Sequence, residues 1–236
     1  MNFSVRIALT PSPEQHARLM ALQSAFAQVC NELAPVVQQT RVWNRVALHH
    51  MAYKQMREQF PELGSQMVCN AIYSVSRACR TVFQTPGSPF HLSSLAGRPL
   101  PLLRFSDTCP VYFDRHTLSL KQGQASMYTL DGRMRFQLAL RPQDEKAFHE
   151  RKLLEIILQR RGPNFELSFV LAAEAPAPAT LAIVQQNSQP MAAAMPELAA
   201  AEPGDSSLAD ESAHPAAVLP VPSLVLPDYV RIESNA

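Results

Sequence analysis

Closely spaced cysteine pairs are missing from the sequence. Cys30, Cys69, Cys79 and Cys109 are widely spaced and form no C-x-x-C pair, so neither a zinc site nor a disulfide framework is expected. Three of them sit in helical apolar patterns, where cysteine behaves as a small hydrophobe. A run of 18 apolar residues is also missing. The best stretch, 167–184, is interrupted by Glu174 and prolines, so no membrane span is expected. The start, MNFSVRIAL, lacks the charged beginning and long apolar core of a secretory signal. A cytoplasmic, reducing location follows as the expectation. Glycine is scarce, at 7 of 236 residues, and each one stands alone, so there is no glycine-rich phosphate loop. His16, His91, His116 and His149 fall on separate elements. His49 and His50 are about 100° apart on a helix, so no metal pair or Ser-His-Asp arrangement emerges.

Charge of one sign is missing from two places. Residues 172–236 hold only Arg231 against eight acids, whereas residues 1–171 hold 20 of the 21 Lys and Arg and 12 of the 20 Asp and Glu. A basic body is therefore joined to an acidic tail, and a basic body suits an anionic partner, most simply nucleic acid. The second gap lies within the body: Ser65 to Phe83, SQMVCNAIYSVSRACRTVF, has no Asp or Glu.

That stretch reads as a helix, with Ser65 as its cap and Gly64 as the break before it. Val68, Ala71, Ile72, Val75, Ala78, Cys79 and Val82 form an apolar stripe about 120° wide. The other face carries Gln66, Asn70, Tyr73, Arg77 and Arg80, a basic surface with amides and an aromatic ring suited to phosphates and base edges. An ordinary solvated face with two arginines is the competing reading.

Along the chain, Phe3, Val5, Ile7 and Leu9 alternate as in a half-buried strand. Ser12-Pro13-Glu14-Gln15 then supplies a cap, a proline at the first helical position and a capping-box glutamine. The helix that follows puts Leu19, Leu22, Phe26, Val29, Cys30 and Leu33 on one face, and Pro35 is expected to end it within a turn. A second helix, about 44–60, carries Val46, His49, Tyr53, Met56 and Phe60 on its apolar side and Arg45, Lys54 and Arg57 on the other. Trp43, between Arg41 and Arg45, is read as packing on its neighbours, with base stacking as the alternative. Residues 85–101 are a connector rich in proline, glycine and serine.

Beyond the connector the pattern turns to strands. Residues 102–105, 111–113 and 117–120 are short candidates. Asp131-Gly132 marks a hairpin turn, with Met134, Phe136 and Leu138 on one face and Arg133, Arg135 and Gln137 on the other. A helical link, 143–150, leads to a second hairpin, 153–158 and 165–171, turning at Arg161-Gly162-Pro163. The fold class expected is α+β: a small β-barrel, closed to hide its strand edges, interrupted by a three-helix bundle. The parts are a first barrel strand at 1–10, the bundle at 11–84, the connector at 85–101, the barrel at 102–171 and the tail at 172–236. With nine prolines and seventeen alanines, the acidic tail is expected to be disordered. Its apolar segment 218–232 is a candidate for docking as an extended strand, on a partner or on the body.

Several stretches together carry a resemblance: LTPSPEQ, VCNELA, ALHHMAYKQMREQFPELGSQMVCNAIYSV, YFDRHTLSL, TLDGRMRFQL and RKLLEIILQRRGPNFELSFVL. In this order they are similar to the N-terminal half of TnpB, the insertion-sequence nuclease, and of its miniature type V CRISPR relatives, over residues 3–171. The resemblance implies that the inserted helices are a recognition lobe and the barrel a wedge domain that grips guide RNA. Together these would hold a short motif-bearing DNA duplex. The chain departs from the family after FELSFVL, where the tail replaces the RuvC-like nuclease and zinc ribbon. Asp107, Asp114 and Asp131 are read as turn residues rather than metal ligands. No catalytic residue, metal or cofactor is therefore expected.

The expectation is a nuclease-less protein that binds guide RNA and duplex DNA, either as a regulator or as half of a split effector. Its contacts would be Arg45, Lys54, Arg57, Gln66, Asn70, Tyr73, Arg77 and Arg80 on the bundle and Arg104, Arg133 and Arg135 on the barrel. A separate nuclease or other protein chain would dock through 218–232. The alternatives are a protein-interaction scaffold that no longer binds nucleic acid, or a truncated transposon remnant.

Overall fold

Alternating burial of Val5 and Ile7 makes strand β1, Phe3–Ala8, and Pro11 stops it. Helix α1, Pro13–Thr40, then opens on the expected capping box: the Ser12 hydroxyl accepts from the Gln15 amide, and the Gln15 side chain accepts from the Ser12 amide. The computed structural model describes residues 3–173 and 226–233, all belonging to one compact unit.

Pro35 does not end α1. The helix continues past it to Thr40 and stops at Arg41, a left-handed residue at φ 57° whose amide donates to the Val37 carbonyl. A proline inside a helix loses one hydrogen bond and clashes with the preceding turn. Here the burial of Leu33, Ala34 and Val37 on either side of it outweighs that local cost.

Helix α2, Arg45–Gln59, is capped by Asn44, which accepts from the amides of Val46 and Ala47. Its fully buried face is Leu48, Ala52 and Met56; of the expected stripe Met56 is buried and Tyr53 and Phe60 pack partly buried on the core, while Val46 is 64% exposed. His49 stacks on Tyr53 instead, ring centroids 4.5 Å apart. Both patterns are helical, and which one turns inward was fixed by the neighbours. Helix α3, Ser65–Gln84, begins one residue earlier than expected, with Gly64 rather than Ser65 at the cap and Ser65 as its first residue. All seven residues of its expected stripe are buried, together with Met67, Asn70, Ser74, Ser76 and Phe83.

The connector holds one helical turn, α4, Leu92–Leu95. After it come β2 (Leu102–Phe105), β3 (Val111–Phe113), β4 (Leu118–Lys121), β5 (Gln124–Thr129), β6 (Gly132–Gln137), α5 (Pro142–Glu150), β7 (Leu153–Arg161) and β8 (Asn164–Leu171). Gln122 and Gly123 both have positive φ, 48° and 73°, as a tight β4–β5 turn of the primed type requires. The β5–β6 hairpin forms one residue out of the expected place: Leu130 and Asp131 make the turn, and Gly132, at φ 89°, starts β6. Met134 and Phe136 face inward while Arg133, Arg135 and Gln137 face out, as the alternation requires.

The fold is α+β, with five helices and nine strands among the described residues. The strands form three antiparallel sheets, ordered β1-β8-β7-β3, β4-β5-β6 and β2-β9, rather than one closed hydrogen-bonded ring. The ninth strand is the reason β2 needs no such ring. Strand β9, Val230–Glu233, comes from the expected tail and pairs with β2 from Leu102↔Glu233 to Phe105↔Val230. Tail residues 174–225, including the start of the docking segment, lie outside the described residues. Within that segment Val230 is buried, and Leu226, Tyr229 and Ile232 pack on the chain's own core.

One continuous core links helices and sheets, with Phe26, Phe83, Phe165 and Phe169 among its fully buried side chains. Each such residue contributes about 1.5–3 kcal/mol relative to exposure. No helix among the described residues is long and apolar enough to cross a membrane.

Helix α1 is buried on several sides, packing on α2, α3, β2 and β5. Inward polar groups of α1 bond to backbone of β2 and of the loop that follows it. Gln23 donates to the Cys109 carbonyl at 3.0 Å. The Asn31 amide accepts from the Phe105 amide at 2.8 Å and donates to the Phe105 carbonyl at 2.9 Å, standing in for a neighbouring strand. Asn31→Ala leaves both backbone groups unpaired and is expected to lower the unfolding free energy by about 1–3 kcal/mol. Urea denaturation with an unchanged slope checks this, and a loss well below that range would mean that water replaces the bridge.

Candidate nucleic-acid interface

Two adjoining hollows lie along α3, sharing Arg45 and Tyr73 as a common wall. The larger is about 430 Å³ and runs between α3, the start of α2 and strands β3 and β7. Asn70, Tyr73 and Arg77 reach it from α3, Tyr112 from β3 and Glu155 from β7. The smaller, about 310 Å³, continues along α3 past Ser76 to Arg80 and Gln84, with Trp43 on its other side. Asn70 to Gln84 spans about 21 Å at the helical rise, so the two hollows form an elongated groove.

Within the larger hollow the polar groups are tightly interlocked. The Tyr73 hydroxyl and Arg77 Nη1 both donate to the same oxygen of Glu155, and Arg77 also donates to the Tyr73 hydroxyl at 3.2 Å. Tyr73 meets Tyr112 edge to face, centroids 5.4 Å apart at 84°. The Arg77 guanidinium sits 5.8 Å from the Tyr112 ring centre, and that of Arg45 sits 5.4 Å from the Tyr73 ring centre. Glu155 follows an irregularity in the β7–β8 register between Leu153 and Glu155, the kind of bulge that re-aims a strand side chain.

These contacts shift the acid–base chemistry. Burial pushes the Tyr73 hydroxyl above its usual range, and its hydrogen bond to Glu155 adds to the effect. Burial does the same to Tyr112, reinforced by Tyr229 of the β9 segment, and Tyr229 is itself raised by burial. Burial works against the Arg77 charge, but Tyr112, Tyr73 and Glu155 outweigh it and hold the guanidinium protonated. Burial pushes the Cys79 thiol up to about 12, as befits a core residue.

The structure brings together Arg45, Asn70, Tyr73, Arg77 and Arg80, five of the sequence-expected contacts. They are not equivalent. Arg77 is already ion-paired to Glu155, so the acid missing from α3 is supplied by β7. Asn70 does not stand on a solvated face: it is 5% exposed, and its amide nitrogen has no hydrogen-bond partner. Arg45 and Arg80 make no ion pair among the described residues and are exposed. Trp43 is half-buried against Phe83, ring centroids 5.5 Å apart, the packing role expected of it, while also edging the smaller hollow.

The remaining candidates lie elsewhere. Gln66 is half-buried and lines neither hollow. Lys54 projects from α2, and Arg57 donates back to the carbonyls of Phe60 and Leu63, tying the α2–α3 turn. Arg104 is ion-paired to Glu233 across the β2–β9 ladder at 3.0 Å. Arg133 lies over the exposed Tyr128 ring at 4.3 Å and donates to the carbonyls of Ser126 and His116. Arg135 shares a shallow depression with Arg133 and Arg18 beside the start of α1. Asp107 pairs with Arg160, Asp114 accepts from the amides of His116 and Thr117, and Asp131 lies in a hairpin turn near Arg18. Among the described residues no three His, Cys, Asp or Glu side chains converge to hold a metal ion.

Tyr112 and Glu155 escaped the sequence reading. The one signal for Glu155 was a lone acid inside the apolar run LLEIIL, and Tyr112 gave none. The three raised tyrosines generate a prediction. A tyrosine that holds its proton more tightly when folded stabilises the fold fully below its unfolded value of about 10, and loses that stability as pH rises toward the folded value. Unfolding free energy is therefore expected to fall as pH rises past about 10, and Tyr112→Phe should shallow the fall. Chemical denaturation across an alkaline series checks this, with tyrosinate absorbance as the direct readout. When the chain is compared with known proteins, no family model matches it and no curated protein is significantly similar, so the reading of the groove rests on its own chemistry.

Proposed function

We propose that this chain is a nuclease-less, TnpB-like protein that binds nucleic acid, guide RNA and duplex DNA, along the α3 groove. The observation that carries the reading is the pair of arginines, Arg45 and Arg80, that meet no carboxylate among the described residues and flank the aromatic and amide groups of Tyr73, Trp43 and Asn70. Cations without carboxylate partners attract phosphate, while exposed ring edges and amides meet bases. The outward face of β5–β6, with Tyr128, Arg133 and Arg135, is a second basic surface with an aromatic ring. In this reading the sheets take the place of the wedge barrel and lie against the RNA. The chain positions nucleic acid and leaves cleavage, where there is any, to a separate nuclease chain.

The groove reading also decides which substitution is informative. Reversing Arg77 would set two carboxylates against each other at Glu155 and disturb the fold, whereas Arg45 and Arg80 make no such bond among the described residues. Gel-shift titrations at low ionic strength are expected to retard RNA and duplex oligonucleotides, with log affinity falling linearly in log salt. Arg45→Glu with Arg80→Glu should weaken binding by about 10–100-fold and lower the salt slope by about two, with circular dichroism unchanged. No retardation at any concentration would end the nucleic-acid reading in favour of an interaction scaffold.

A further inference from the structure

We infer that the larger hollow receives a single unstacked nucleotide, a proposal that rests on the nucleic-acid reading above and gives it a specific contact. The hollow has the scale of a small-molecule site, which ranges from about 300 to 1,000 Å³, and its 430 Å³ cannot admit a duplex. Its lining is mostly aromatic and aliphatic, with Tyr112, Phe113, Ile157 and Val170 beside Tyr73. Tyr73 and Tyr112 stand at 84° to one another. A flat ring stacked on one of them presents its edge to the other, an arrangement that suits a nucleobase and gives an aliphatic ligand nothing specific.

Asn70 supplies the second observation. Its side chain lines this hollow, is 5% exposed, and makes no hydrogen bond among the described residues. A buried amide donor without a partner is costly, and native proteins rarely leave one. A ligand that brings an acceptor removes the cost. An asparagine amide presents one donor beside one acceptor, the complement of a base edge such as N6 and N7 of adenine. The remaining polar groups of the wall are already satisfied: Glu155 by Tyr73 and Arg77, and Asp114 by the amides of His116 and Thr117. Arg45 at the rim aside, that leaves Asn70 as the group with hydrogen-bonding capacity to offer.

Arg45 completes the set. It edges both hollows, carries no ion pair among the described residues, and lies against Tyr73. A phosphate at Arg45 places the attached base toward Tyr73 and Asn70 and leads the next phosphate along α3 toward Arg80. Base recognition therefore sits at Asn70, and backbone holding at Arg45 and Arg80.

The test uses the full chain and titrates four nucleoside 5′-monophosphates, with ribose 5-phosphate and inorganic phosphate as controls, by calorimetry or by fluorescence of the aromatic residues. At least one monophosphate is expected to bind in the millimolar range or tighter, favoured at least tenfold over ribose 5-phosphate. Asn70→Ala should remove that preference. Arg45→Gln, on the exposed rim, should weaken the monophosphate while leaving the parent nucleoside unaffected, and it keeps the test valid should Asn70→Ala fold poorly. Oligonucleotides that are still retarded while no monophosphate binds would overturn the nucleotide site and spare the groove. Equal binding of inorganic phosphate would reduce the site to an anion contact at Arg45 and overturn it too. Monophosphate binding indifferent to both substitutions would place the ligand elsewhere and likewise overturn the proposal.

Discussion

Helix α1 is the constraint on which the rest depends, because a helix buried on several sides must find partners for every polar side chain it turns inward. Asn31 does so at both backbone groups of Phe105, and Gln23 does so through its Nε2 at the Cys109 carbonyl, while Gln23 Oε1 has no partner among the described residues. Those bonds fix where the chain from β2 to β3 crosses the helix, and so where Tyr112 arrives. Helix α3 packs on the same helix from another side, which sets the distance between Tyr73 and the β3 strand. The groove is thus a consequence of two elements being located against one central helix.

Charge within the groove is organised by burial. Arg77, partly covered by its neighbours, is met by Glu155, as a half-buried cation requires. Arg45 and Arg80, out on the rim, remain hydrated and unpaired among the described residues. The same division appears on the sheets, where Arg104 is matched by Glu233 while Arg135 stands open. Arginines that look alike in the sequence therefore fall into a structural class and an available class. The difference is whether the fold brings a carboxylate to them from far along the chain.

The return of the C-terminal segment ties the acidic end of the chain to this framework. Strand β9 closes the exposed side of β2, a four-residue strand whose other side is served by an asparagine side chain. Two such modest partners replace the neighbouring strands of a closed ring. Tyr229, at the start of the segment, contacts Tyr112 and so reaches the wall of the larger hollow from behind. Of the two docking places expected for the apolar segment of the tail, a partner or the body, its described residues take the body and join the core, where alternation of Val230 and Ile232 suits a strand.

What the sequence determined by itself was local: the capping box of α1, the apolar face of α3, and the in-out alternation of β6 around Met134 and Phe136. Periodicity and turn chemistry act over a few residues, and that is where they were legible, along with the basic character of the body. Tertiary structure decided the rest. It carried α1 through Pro35, turned Leu48 and not Val46 inward on α2, and buried Asn70. It also delivered Glu155 to Arg77 and brought a distant strand to β2. Each of these outcomes depends on residues tens of positions apart meeting in a shared core, and no pattern within a single segment encodes which distant neighbour will be there.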